Sequence, residues 1–526
     1  MMNKTVLILL VSMIWTQTGY AYLYEDSLSN HSYKKAVHEL LSPNEIFIQF
    51  RDVYTTGIYE YVAIVVDPNA DNPVVTYLFK SESLHSYARE NCTNKDLGQL
   101  VWSPLQPLLQ GKSTIYFSAS GELYNYPIEY LRCPEDTDKQ MNEVYKMYRL
   151  SGIEQLARQE INASEQKKAV VFGGLEYDLN ADTNDNPESK LLAFRGNVSG
   201  LSTLPETRKE VAYIDSILRK ENILVSLQTG NRGGKSAFNE VTQSNATMLH
   251  LATHGFYNPQ HYLTNESRLK KWMMSRTGIC LAGDYYNTDI EYNGLMTGRD
   301  ISSMDMENLD LVVLSACQTG LGDVFEGKQY GLSNAFKDAK AKSILASLWS
   351  VHDDATKLLM IRFYSNLIKG LEKCEALKEA QSFVRNYSVE SKASGKGRNS
   401  AEREKSGAYD AGRKPYQSPI YWASFVMIDA NKPLQTTVSK ETLDFINQFK
   451  SENMLGSFVD EDIDNWEKYK EFLKPEDALI YFYNYTLPSG VDEYVALIYT
   501  PERTEGMLVP VIRSKEKNPD WKLWET

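Results

Sequence analysis

The chain has 526 residues, 42% of them hydrophobic, with 69 acidic against 56 basic residues and a formal net charge of -13. That size and hydrophobic share fit a globular chain of roughly two to four domains and exclude wholesale disorder. The acidic balance argues against a nucleic-acid partner, because phosphate-backbone contacts dominate that affinity.

The opening stretch "MMNKTVLILLVSMIWTQTGYAY" places Lys4 before an apolar run from Val6 to Trp15, then polar residues and the small residues Gly19 and Ala21. That order is the plan of a secretory signal cleaved after Ala21, so export to a periplasm or the outside is expected. The run is too short to span a bilayer well, and no other segment reaches that length. Five cysteines, Cys92, Cys133, Cys280, Cys317 and Cys374, show no CxxC spacing. They make neither a disulfide framework nor a zinc site, and an odd number leaves at least one thiol unpaired.

From Leu41, "LSPNEIFIQFRDVYTTGIYEYVAIVVDP" reads as two strands around a polar turn, followed by a helix and a strand through "IYFSASGELYNYPIEYL". A similar stretch, "LKPEDALIYFYNYTLPSGVDEYVALIYTP", begins at Leu473, with Pro43 matching Pro475 and Phe50 matching Phe482. An internal duplication is expected, with residues 432–526 as an incomplete second copy of the N-terminal unit, residues 22–150. Between the copies, residues 151–431 alternate as a parallel sheet with crossover helices requires. Strands are predicted at "AVVFGGL", "ILVSLQ", "TMLHLATHG", "LDLVVLSAC", "SILASLW" and "YWASFVMID". Helices are predicted at "PETRKEVAYIDSILRK", "YGLSNAFKDAK" and twice between Asp353 and about Arg385. The fold class is therefore α/β, a three-layer sandwich with a mostly parallel sheet. Before the last strand, the Lys-, Arg-, Gly- and Ser-rich stretch around 390–416 reads as a solvated loop open to proteolysis.

Two strand ends carry chemistry. "HLATHGF" ends one strand at His254 and Gly255, and "LVVLSACQTG" ends another at Cys317. A thiol attacks as thiolate, so a neighbouring imidazole would convert a packing cysteine into a nucleophile. Gly255 lets its N–H approach a reacting carbonyl, and the Cys317 N–H is a candidate second oxyanion donor. His250 shares the strand face with His254, but its place between Leu249 and Leu251 fits the core better. The alternative for Cys317 is a buried thiol packing as a small hydrophobe.

Two decoys fail on spacing. "TGNRGGKSAF" has Thr229 where a phosphate-binding loop needs glycine, and "DLNADTNDNPES" lacks the sixth-place glycine and twelfth-place acid of a calcium loop.

The ordered set "HLATHGF", "LVVLSACQTGLGD", "GLSNAFKDA", "SILASLWSVHDDATKLLMIRFYSNL", "EALKEAQ" and "YWASFVMI" resembles the CHAT family of caspase-like cysteine proteases, which often follow TPR repeats. The resemblance covers most of residues 40–430. It implies a caspase-type sandwich acting on protein substrates as a cysteine endopeptidase, with His254 as base, Cys317 as nucleophile and no cofactor or metal. It also implies that the segment before about residue 150 is an inactive caspase-like half, and that the tail is a fragment of another. In this clan an acid near "LWSVHDDAT" reads a basic P1 side chain, which nominates Asp353 ahead of Asp354. Both acids equally suit the start of a helix, where the dipole favours them. Lys328 and Gln329 depart from the family's Gly-acid-Gly step and Lys340 from its glycine, changes expected near the substrate cleft. No repeat of about 34 residues is visible, so the usual partner-sensing module is missing or lies on another chain, as a TPR or other regulatory partner. A catalytically silent scaffold that binds proteins is the second reading.

Overall fold

The computed structural model describes residues 30–55, 58–158, 167–177, 203–257, 274–283, 294–315, 322–325, 328–388, 413–431, 438–453, 479–486, 492–499 and 507–514. The proposed signal segment, the Asn/Asp-rich loop, Cys317 and most of the basic loop lie outside them.

The N-terminal half begins with α1 (Asn30–Leu40) and an antiparallel meander of β1 (Glu45–Thr55), β2 (Ile58–Val66) and β3 (Val74–Lys80). Helix α2 (Lys95–Trp102) starts at Asn94, whose side chain accepts the N–H groups of Asp96 and Leu97. It buries Leu97, Val101 and Trp102 against the sheet, where Phe50 and Phe117 meet the indole edge to face. Strands β4 (Thr114–Ser118) and β5 (Lys146–Arg149) then run parallel to β1.

The second half holds β6 (Lys168–Leu175), α3 (Pro205–Lys220), β7 (Leu224–Gly230) and β8 (Met248–Leu251). A small sheet follows, of β9 (His254–Tyr257), β10 (Thr277–Cys280) and β11 (Leu295–Thr297). After β12 (Leu311–Leu314) come the hairpin β13 (Gly322–Phe325) and β14 (Lys328–Gly331), α4 (Leu332–Asp338) and β15 (Ile344–Ser347). Helices α5 (Asp353–Ile368) and α6 (Lys373–Asn386) precede β16 (Phe425–Ile428), and α7 (Lys440–Asn453) follows.

The two halves share one 11-stranded sheet, ordered β3-β2-β1-β4-β5-β16-β15-β12-β8-β6-β7. The central strands β6, of eight residues, and β8, β12 and β15, of four each, are mostly apolar and buried on both faces, as a parallel sheet covered by helices requires. Among the described residues one α-helix, α4, lies between β12 and β15, which pair parallel, and two, α5 and α6, lie between β15 and β16, which pair antiparallel. The strand expected at "YWASFVMID" thus reverses the sheet's direction and joins β15 to β5 of the first half.

That seam is polar but paired. Asp429, fully buried just past β16, accepts the N–H and hydroxyl of Ser151 at 2.7 Å each and meets Lys337 Nζ at 2.7 Å. Arg149 grips Glu129 with both Nε and Nη2, at 3.1 and 2.7 Å. Helix α7 packs its Phe445, Ile446 and Phe449 on α1 and the first half's sheet, in one core with Tyr33, Val37 and Phe47. It lies within the segment expected to be an incomplete repeat, yet it completes the packing of the first half.

Lys340 departs from expectation. It follows α4 and precedes β15, at the amino end of that strand, whereas the candidate site gathers at carboxyl ends; it also adopts the left-handed region, with φ of 71°. It is not a cleft residue.

A second unit contains the antiparallel sheet β17 (Leu479–Thr486), β18 (Asp492–Tyr499) and β19 (Met507–Ser514). Phe482 pairs with Ala496 as Phe50 pairs with Ala63, and the register shift at Tyr494/Val495 matches that at Tyr61/Val62.

Candidate active site

Because β6, β8, β12 and β15 are parallel, their carboxyl ends open along one edge, where open α/β sheets bind ligands. Tyr177 follows β6, His254 follows β8 and Asp353 follows β15. Within β8 and β12, Leu251 pairs with Leu314. His254 stands three residues beyond Leu251, as Cys317 stands three beyond Leu314 in the sequence. Cys317 itself lies outside the described residues.

After Leu251 the chain leaves the main sheet, and His254 opens β9, opposite Cys280 of β10. Its half-buried ring meets the Tyr177 ring edge-on at 5.0 Å. The Tyr177 hydroxyl shares a 2.8 Å hydrogen bond with Thr253 Oγ1, and Thr253 Oγ1 in turn donates to the Cys280 carbonyl. Burial pushes the Tyr177 phenol up to about 12, so it stays neutral and holds the residue before His254. Tyr177 was not among the sequence candidates; its signal is a tyrosine two residues past the end of the strand adjoining β8. Gly255 lies on β9 opposite Ile279.

His250 is a core residue, with 1% exposure. Its Nε2 lies 3.0 Å from Glu210 Oε1 on α3, and its Nδ1 lies 3.1 Å from the Tyr364 hydroxyl on α5. All three side chains are buried. The pairing ties the central strand to both helices on that face.

Asp353 and Asp354 begin α5 and are exposed. They differ in partners. Asp354 binds Lys357 Nζ at 3.0 Å, and Lys357 also binds Glu206 of α3. Asp353 makes no ion pair among the described residues. The helix is preceded by His352, whose ring contacts those of Tyr416 and Tyr421 at 5.8 and 5.5 Å.

The other cysteines are poor nucleophiles. Cys92, Cys133 and Cys280 are at most 1% exposed. Burial pushes the thiols of Cys92 and Cys374 up to about 12. Among the described residues no group of three or more His, Cys, Asp or Glu side chains could hold a metal ion, and no helix is long and apolar enough to cross a membrane.

The CHAT domain matches residues 93–430. Tetratricopeptide repeat protein 28 of Mus musculus is 28% identical over 145 residues, 28% of this chain, and the Homo sapiens protein matches equally. The match spans only 5% of those curated relatives' length. Among solved structures, the Arg-specific cysteine proteinase gingipain R aligns over 79% of this chain and 81% of its own, at 8% identity and a TM-score of 0.34. The Saccharomyces cerevisiae separase–securin complex aligns over 67% of this chain and 29% of that one, at 9% identity and a TM-score of 0.40. With the CHAT domain matching 338 of 526 residues (93 through 430) and a mostly parallel sheet sandwiched between helices, the chain belongs to the CHAT domain family and has its caspase-like α/β fold.

Proposed function

We propose that the chain is a cysteine endopeptidase that uses His254 as general base and Cys317 as nucleophile. The observation that carries this reading is the register Leu251↔Leu314 on adjacent parallel strands, with His254 and Cys317 equally spaced beyond it. Imidazole takes the thiol proton, thiolate attacks the scissile carbonyl to form an acyl-enzyme, and the imidazolium returns its proton to the leaving amine. Water, deprotonated by His254, then hydrolyses the thioester. The Gly255 and Cys317 N–H groups are the proposed donors to the oxyanion.

Asp353 is the proposed reader of a basic P1 side chain, since Asp354 is already matched by Lys357. The proposed site of action is outside the cytoplasm, on the strength of the N-terminal segment alone. Cys317→Ala and His254→Ala are expected to abolish peptide cleavage while leaving the circular-dichroism spectrum and melting curve close to wild type. Undiminished cleavage by either variant would refute the dyad.

A silent interaction scaffold is the second reading, favoured by the similarity to a tetratricopeptide repeat protein over 145 residues. On that reading neither variant changes any activity, and the partner is a protein.

A further inference from the structure

Next to the carboxyl end of β15 lies a cleft of about 600 Å³ whose walls come from both halves of the molecule. The second half supplies Leu348 and Trp349, which follow β15 directly. The first half supplies Tyr87 and Tyr126, with Glu90 and Glu122 beside them. The walls are pinned. Tyr126 donates its hydroxyl to the Leu84 and Tyr87 carbonyls at 3.2 and 3.0 Å, and the Trp349 indole N–H donates to the Ile420 carbonyl at 3.0 Å.

Side-chain contacts link the cleft wall to the start of α5. Trp349 is anchored to Ile420; the next residue, Tyr421, touches the His352 ring at 5.5 Å, and His352 precedes Asp353. The wall at Trp349 is thus four residues before Asp353 in the chain and tied to its neighbour His352 through Ile420 and Tyr421.

Resting on the protease reading above, we propose that this cleft receives a second arginine or lysine side chain of the substrate, at a position other than the one Asp353 reads. The inactive half would then contribute specificity rather than chemistry. The charge balance favours a cation. The carboxylates of Glu90 and Glu122 line it with one guanidinium, that of Arg89, and the His85 ring lies 3.1 Å from Glu122. A long basic side chain also suits the walls, because its aliphatic stem covers Tyr and Trp faces while the cation stays near carboxylates and π-clouds.

The test uses binding, so it does not depend on turnover. Full-length chain carrying Cys317→Ala is titrated by fluorescence anisotropy with labelled Gly/Ala hexapeptides bearing one arginine, or that arginine plus a second at each other position in turn. One two-arginine peptide is expected to bind roughly fivefold more tightly than the single-arginine peptide, as one charge-assisted contact would give. That gain should vanish in Glu90→Gln/Glu122→Gln and survive in Asp353→Asn. A gain that persists in the double glutamine variant, or no gain at any position, overturns the proposal. Failure of the wild-type chain to cleave any of these peptides would count against the protease reading alone, because the anisotropy comparison still decides on the cleft.

Discussion

At Lys340 the backbone holds a lysine at φ of 71°, where a side chain costs about 1 kcal/mol and glycine costs nothing. Its ammonium reaches Asp305 at 3.3 Å, but both groups are more than half exposed, so the pair contributes little. Lys340→Gly is expected to raise stability by roughly 0.5–1 kcal/mol in urea unfolding; a loss would show that the ion pair outweighs the strain. The two histidines of "HLATHGF" should separate by experiment in the same way. His250→Leu leaves Glu210 as a buried carboxylate without its partner, a cost of about 3–5 kcal/mol. His254→Ala removes a half-buried ring and should cost far less stability while removing cleavage. The reverse pattern, a stable His250 variant and an unfolded His254 variant, would exchange their roles. The sequence made His254 legible because a polar residue followed by glycine ends an apolar run. Tyr177 was not legible, because what makes it matter is the neighbouring strand, not its own context.

At the scale of elements, α7 shows what pattern alone leaves out. Its amphipathic spacing is plain, but its partner α1 lies some 400 residues earlier in the chain, with Ser439 and Glu39 in direct contact. The Glu39 carboxylate accepts the Ser439 N–H at 2.8 Å and the Thr442 hydroxyl at 2.6 Å, so it caps the helix from another element. Those hydrogen bonds, the one from Thr442 first, hold Glu39 below its ordinary carboxylate range. A lowered value in the folded state means that the contribution is present above the usual carboxylate pKa and is lost as pH falls through the lowered one. Glu39→Gln should therefore reduce Tm near neutral pH, and the gap from wild type should close below about pH 4. A gap independent of pH would assign the loss to packing. The helix over 205–220 and the pair from Asp353 were legible because their apolar periods are long and their partners are adjacent strands. The direction of β16 was not, since its antiparallel pairing with β15 is set by tertiary packing and leaves no mark in the strand's own residues.

Over the main unit, one sheet unites the N-terminal half with the candidate catalytic half through β16, whose Ile428 pairs with Arg149, and through Asp429. The family signature and the succession of strands along the chain could be read from motifs, while the union of the halves could not, because single-residue pairings such as Ile428 with Arg149 leave no local pattern. If the chain is a protease for basic P1 residues, the loop before Tyr416 offers it sites in its own sequence, among them Lys392, Lys396, Arg398, Arg403, Lys405, Arg413 and Lys414. Wild-type protein held at high concentration should cut itself there, read by intact-mass spectrometry, and Cys317→Ala should remain whole. Identical fragments from both proteins would point to a contaminating protease.

The proposed dyad requires Cys317 to be a thiolate poised by His254. Iodoacetamide labelling of the folded chain across pH, mapped by mass spectrometry, tests it most directly, because the buried Cys92, Cys133 and Cys280 and the raised Cys374 thiol give little background. Selective labelling of Cys317 well below the free-thiol range of about 8.5, lost in His254→Ala, is the predicted result. Labelling of Cys317 that is slow, begins only near that range and is indifferent to His254 would contradict it, and would leave the interaction scaffold as the reading of this fold.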